Sequence, residues 1–142
     1  MDKMKNKVLT GNSGDVWFNG KRVSTLKSIE LKVTGNFEEQ NFVGDNATHN
    51  VYTGWSGEGT MTWAKVDSTV IDLLADAYKT GVMPEIKIIS KLTDKSTGKS
   101  ERAAVSEVVL TEFFLAKYEA KALLEEEIPL KFSDYEVLDK IA

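Results

Sequence analysis

"GWSGEGTMTW", residues 54–63, places three glycines within six positions. Glycine this dense suits a loop that wraps a phosphate, but such a loop must release the chain into a helix whose free N–H groups hold the anion. After Gly59 the chain runs Thr60-Met61-Thr62-Trp63, which alternates polar and apolar and predicts a strand. Parity divides the stretch into two faces. Trp55, Gly57, Gly59, Met61 and Trp63 share an apolar side, and Gly54, Ser56, Glu58, Thr60 and Thr62 a polar one. Glycines on the apolar side of a strand mark a bend, a bulge or the close approach of another backbone. The stretch therefore reads as a strand with one wet face and one packed face.

Outward from this strand, the chain of 142 residues is long enough to bury a proper core as one domain, 1–142. Its 42% hydrophobic and 28% charged residues are ordinary for a globular protein. No apolar run approaches the length of a membrane span, and "MDKMKNK" lacks the pattern of a signal peptide, so synthesis in the cytoplasm and no membrane binding are expected. Without cysteine there is neither a thiolate metal site nor a thiol nucleophile. The net charge of −4 is concentrated late: residues 101–142 carry five basic groups against ten acidic ones. No basic stripe able to grip phosphates appears, which argues against tight nucleic-acid binding.

Asn19-Gly20 is the preferred pair for a tight type I′ hairpin between short strands. "SIELKVT" (28–34) alternates strictly, as do "PEIKIISKL" (84–92), "ERAAVSEVVL" (101–110) and "IPLKFSDYEVL" (128–138). One helix is expected at about 68–80, capped by Asp67 or Ser68 and ended by Gly81 and Pro84, with Val70, Ile71, Leu74, Ala77 and Tyr78 as its apolar stripe. Residues 35–50, rich in Gly, Asn and Asp, read as a long projecting loop with strand ends near Phe37 and Phe42, and a loop of that length suggests a binding surface. Residues 113–127 favour helix by composition, although flanking strands could draw them out. Seven or eight largely antiparallel strands and one helix predict a mainly β protein, a sandwich or barrel with one helix packed on it.

No catalytic constellation emerges. "STGKS" (96–100) resembles the end of a phosphate loop, but Thr93 stands where its leading glycine belongs and it joins strand to strand, so it is a turn. His49 is the only histidine, which rules out a His-based metal cluster, and its polar surroundings make it a solvated residue. Glu125-Glu126-Glu127 reads as a solvated edge, Asp45-Asn46 lacks the ligand spacing of a calcium loop, and the three tryptophans suit packing. No cofactor is expected. Two classes of function remain open from the residues: a self-assembling structural part, or a monomeric β-barrel holding a small hydrophobic ligand.

In order along the chain, "TGNSGDVWFNGKRVSTLKSIELKVTGNFEEQ", "YTGWSGEGTMTWAKVDS" and the run from "GVMPEIKIISKL" to "KFSDYEVLD" resemble the tail tube proteins of contractile-tailed phages of the PBSX, XkdM-like type. That family also supplies the inner tubes of defective prophages and of phage-tail-like bacteriocins, and its fold is shared with the tube of type VI secretion. The resemblance implies a structural protein and no enzyme, with two packed antiparallel sheets forming a barrel-like sandwich and one flanking helix. In it six copies form a ring, whose open sheet edges pair between copies with close approach expected at Gly57 and Gly59, and rings stack into a hollow tube inside a contractile sheath. The implied partners are the chain itself, the sheath, the tape measure, and the baseplate and tail terminator, with DNA only as passing cargo in an infectious phage. It also implies a mostly extended 113–127. Within that frame, the loop residues Glu38, Glu39, Gln40, Asn41, Asp45, Asn46 and His49 are expected to reach the next ring. Ser56, Glu58, Thr60 and Thr62 are expected to line a neutral-to-acidic lumen.

Overall fold

The structure, a computed structural model, describes residue 9 and residues 11–141. After a 3-10 turn at Gly11–Ser13 come strands β1 (Gly14–Phe18), β2 (Lys21–Arg22), β3 (Leu26–Gln40) and β4 (His49–Ala64). Helix α1 (Thr69–Thr80) follows, then β5 (Ile88–Thr93), β6 (Ser100–Leu110) and β7 (Glu125–Asp139). All seven strands pair antiparallel into a single sheet of order β2-β1-β5-β6-β7-β4-β3. The mainly β architecture with one helix is as expected, but one continuous sheet stands where two were anticipated. Alternation shows which residues face inward and not which strands share hydrogen bonds.

The sheet curls strongly without closing. In a flat sheet β1 and β4, four places apart in this order, would lie about 19 Å from each other. Here residues 23–25 bridge them: the Val23 N–H donates to the Val16 carbonyl at 2.9 Å, and the Ala64 N–H to the Thr25 carbonyl at 3.0 Å. Curling brings Val16, Ile88, Val105, Val108 and Leu110 into one core with Met61, Ile128, Leu130 and Phe132. Burying each large side chain is worth about 1.5–3 kcal/mol, which drives the closure of the sheet over its apolar face.

Helix α1 adds Val70 and Leu74 to this core. Asp67 begins it by accepting from the Thr69 N–H at 3.1 Å, whereas the Ser68 side chain makes no capping bond. Gly81 ends it with φ 78°, its N–H donating to the Ala77 carbonyl. The Asn19-Gly20 turn forms as expected, with φ of 51° and 84° and Phe18 opposite Lys21. Residues 94–99 make the β5–β6 turn, with Gly98 at φ 74°, so "STGKS" is a turn. Between 84 and 92 only 88–92 is strand, because residues 85–87 bond to Asn19 instead. Residues 111–124 form neither helix nor strand, and β7 begins only at Glu125. Both the helical propensity and the extended form implied for 113–127 give way there. Phe113 and Phe114 pack on the core, fixing an irregular path.

Candidate functional site

Strands β3 and β4 form one long hairpin whose ladder runs from Leu26↔Trp63 to Gln40↔His49. β4 pairs with β7 only from Gly57↔Phe132 to Ala64↔Glu125. Beyond that point the sheet forks. Residues 34–40 and 49–56 leave as a two-stranded arm, while the rest of β7 continues beside β6 alone. The expected loop at 35–50 thus shrinks to residues 41–48; Glu38, Glu39, Gln40 and His49 are ladder residues. Their strand signal is hidden in the sequence because both faces of the arm are exposed, so no apolar alternation is required.

The tip is held by local contacts. Gly44 turns the chain at φ 86°, and Asp45 accepts from the Ala47 N–H at 2.9 Å. His49 Nε2 lies 2.7 Å from the other Asp45 oxygen, and the Phe42 and His49 rings stand 5.6 Å apart. The His49 contact, aided by Ala47, holds the Asp45 carboxyl below its ordinary range. Of the seven loop candidates, the fold joins Asp45 with His49 and Gln40 with His49. Asn41 and Asn46 lie exposed in the tip. The apolar side of the hairpin runs on into the arm: Phe37 and Tyr52 meet edge to face at 5.6 Å and remain 60% and 57% exposed. In the fork, Trp55 packs against Phe132 and Tyr135.

The body half of β4 has the expected two faces. Gly57 and Met61 are buried, while Ser56 and Glu58 are exposed and Thr60 and Thr62 half-buried. At both glycines a close approach is made within the chain. A Cβ on Gly57 would lie 2.3 Å from the Phe132 ring, and one on Gly59 2.3 Å from the Glu30 carbonyl oxygen. Both contacts are internal to the chain. Strand neighbours add charges of both signs to the polar face. Glu58 is flanked in register by Lys32 on β3 and Lys131 on β7, with Lys32 Nζ 3.5 Å from its carboxylate. Glu30 and Glu127 share this surface, opposite Thr60 and Thr62. It is a mixed-charge face, a property set by strand neighbours and invisible in the 54–63 stretch.

Near the helix, the acidic run 125–127 divides. Glu125 pairs with Lys27, but Glu126 is buried and bonded to Lys65 at 2.7 Å, so it is no solvated edge. Glu126 also lines a groove of about 620 Å³ beside Phe18, Trp63 and Leu73. Among the described residues no cluster of three or more metal-ligating side chains occurs, and no helix is long and apolar enough to cross a membrane.

This curled, open antiparallel sheet with one helix and a long projecting hairpin is similar in fold to chains of tail-like particles. The cap of the anti-feeding prophage tube matches with a TM-score of 0.77 at 12% identity, covering 94% of this chain and 92% of that one. A chain of the PVC extracellular contractile injection system sheath-tube complex matches with a TM-score of 0.73 at 13% identity, covering 99% of each. In sequence, the phage-like element PBSX protein XkdM of Bacillus subtilis (strain 168) is 31% identical over 137 residues, 95% of this chain and 93% of the relative. The family model described as phage tail tube protein matches residues 3–139. The chain belongs to the phage tail tube protein family, as the resemblance in sequence implied, and it is a structural protein.

Proposed function

We propose that the chain is the subunit of the inner tube of a contractile phage tail or phage-tail-like particle. Six copies form a ring, the curled sheet serves as its barrel-like body, and rings stack into a hollow conduit inside a sheath. The observation that carries this reading is the arm: a two-stranded ribbon with free edges and exposed aromatics that leaves the rest of the sheet beyond Gly57. An isolated ribbon is marginal in water and its edges invite pairing, so the arm suits a contact with another copy. Glu38, Glu39, Gln40, Asn41, Asp45, Asn46 and His49 form that contact with the next ring. The sheath, tape measure, baseplate and terminator are its other partners, and assembly takes place in the bacterial cytoplasm.

Ser56, Glu58, Thr60 and Thr62 face the lumen in this reading. Glu30, Glu58 and Glu127 against Lys32 and Lys131 leave that wall with a slight excess of acid, which lets a polyanion slide, since a wall rich in lysine adds salt-dependent grip. Electron microscopy of the concentrated protein and of the native particle tests the assembly: rings or tubes are expected, and a monomer in every condition overturns it. For the wall, Thr60→Cys in sheathless tubes is expected to react with a small maleimide and to resist a bulky one. Equal labelling by both puts this face outside.

A further inference from the structure

Two projections of the chain differ in charge. Residues 33–64, which include the whole arm, contain Glu38, Glu39, Asp45 and Glu58 and no lysine or arginine. The β5–β6 turn and its flanks, residues 91–102, contain Lys91, Lys95, Lys99 and Arg102 against Asp94 and Glu101. Asp94 is occupied within the turn, accepting from the Ser96 N–H and hydroxyl and from the Thr97 hydroxyl, and Arg102 pairs with Asp139 at 3.5 Å. Among the described residues Lys91, Lys95 and Lys99 form no ion pair, nor do Glu38 and Glu39. Lys95, Lys99, Glu38 and Glu39 are all exposed.

The topology places the two projections at the same end of the sheet. β7 runs antiparallel to β4 and ends at Asp139, opposite Arg102 at the start of β6, so the β5–β6 turn rises on the side toward which the arm extends. Within one copy β7 separates β4 from β6, and the fork at Gly57/Phe132 parts the arm from the strands beside the turn. Placed side by side, two copies can bring one's acid to the other's base. We infer that the acidic arm of one copy docks on the basic β5–β6 turn of a second copy beside it, Glu38 and Glu39 on the two faces of the ribbon supplying the acid and Lys95 and Lys99 the base. This contact is heterologous, since each copy offers both halves, and such contacts propagate into rings or filaments. The inference rests on the tube reading and adds a lateral contact within the ring to the one that the arm makes with the next ring.

A charge swap tests it. Glu38→Lys with Glu39→Lys makes both projections basic, and Lys95→Glu with Lys99→Glu makes both acidic. Each double variant should raise the protein concentration needed for assembly, read by sedimentation and electron microscopy, at least about tenfold, because like charges then meet. Mixing the two variants, or placing all four changes in one chain, should restore assembly, while circular dichroism shows unchanged folding of these exposed positions. Normal assembly of either double variant, or loss in both with no rescue on mixing, overturns the docking and leaves the tube reading in place. A wild-type chain that never assembles, in solution or in the particle, overturns the tube reading and this inference together.

Discussion

The two halves of β4 belong to one strand but live in different surroundings. In the body half, 57–64, Met61 is 1% exposed and Phe132 lies across Gly57. In the arm half, 49–56, Tyr52 is more than half exposed, and its ring partner Phe37 equally so. Alternation makes a strand two-faced; whether the apolar face is buried depends on what the fold lays over it. In the body that cover is the rest of the chain. In the arm it has to come from elsewhere.

This difference predicts a graded series in the unassembled subunit. Met61→Ala should cost about 2–5 kcal/mol in chemical denaturation, the range for truncating a fully buried side chain. Gly59→Ala should cost about 1–3 kcal/mol, since its methyl meets backbone and cannot be accommodated by a side-chain shift. Phe37→Ala, on the same apolar side but in the arm, should cost under about 1 kcal/mol, little more than the loss of its ring contact with Tyr52. If Phe37→Ala matched Met61→Ala, the arm would be part of the core and the contrast would fail.

Replacing residues 41–48 by a short Gly-Ser turn should move the stability of the subunit by only about 0.5 kcal/mol while abolishing tube growth. Normal polymerisation of that variant would remove the tip from the assembly contact. The smallest effect concerns pH. Asp45 is held below its ordinary range by His49, so its contribution to tip order is present above the unfolded carboxylate range and fades as pH falls through the lowered value. Backbone NMR signals of 42–49 should broaden or shift in that acid window, and His49→Ala should move the transition toward higher pH. Identical titrations in both proteins would mean that the clasp does not govern the tip.

What the sequence reveals follows the same division. The faces of 54–63, the Asn19-Gly20 turn and the ends of α1 are legible because local chemistry dictates them: parity, positive φ and a glycine cap. Residues 35–40 and 49–50 are strand without a strand's signature, since neither face is packed. That one sheet replaces two depends on which edges meet, a long-range matter that periodicity does not encode. The polar candidates at 56, 58, 60 and 62 were visible as a face, but Lys32 and Lys131 join it only through the pairing of β3 and β7 with β4. Glu126 shows the same limit: inside an acidic run, one member turns inward to Lys65.

The pairing of β4 with β7 also sets a timetable. The hairpin of β3 and β4 is local in sequence, but the strand that completes β4 begins at Glu125, roughly sixty residues beyond Ala64. At about 5–20 residues per second, a ribosome needs several seconds to deliver it. For that interval the side of β4 later covered by β7 is an unsatisfied template, and Met61 has no Ile128 to rest beside. Neighbouring nascent chains carry the same template, so premature pairing competes with correct closure. Gly57 and Gly59 weaken such off-pathway ladders, because glycine is a poor strand former, and Glu58 opposes itself when identical strands meet in register. The residues that let Phe132 and Glu30 approach in the finished subunit thereby also disfavour premature pairing between nascent chains.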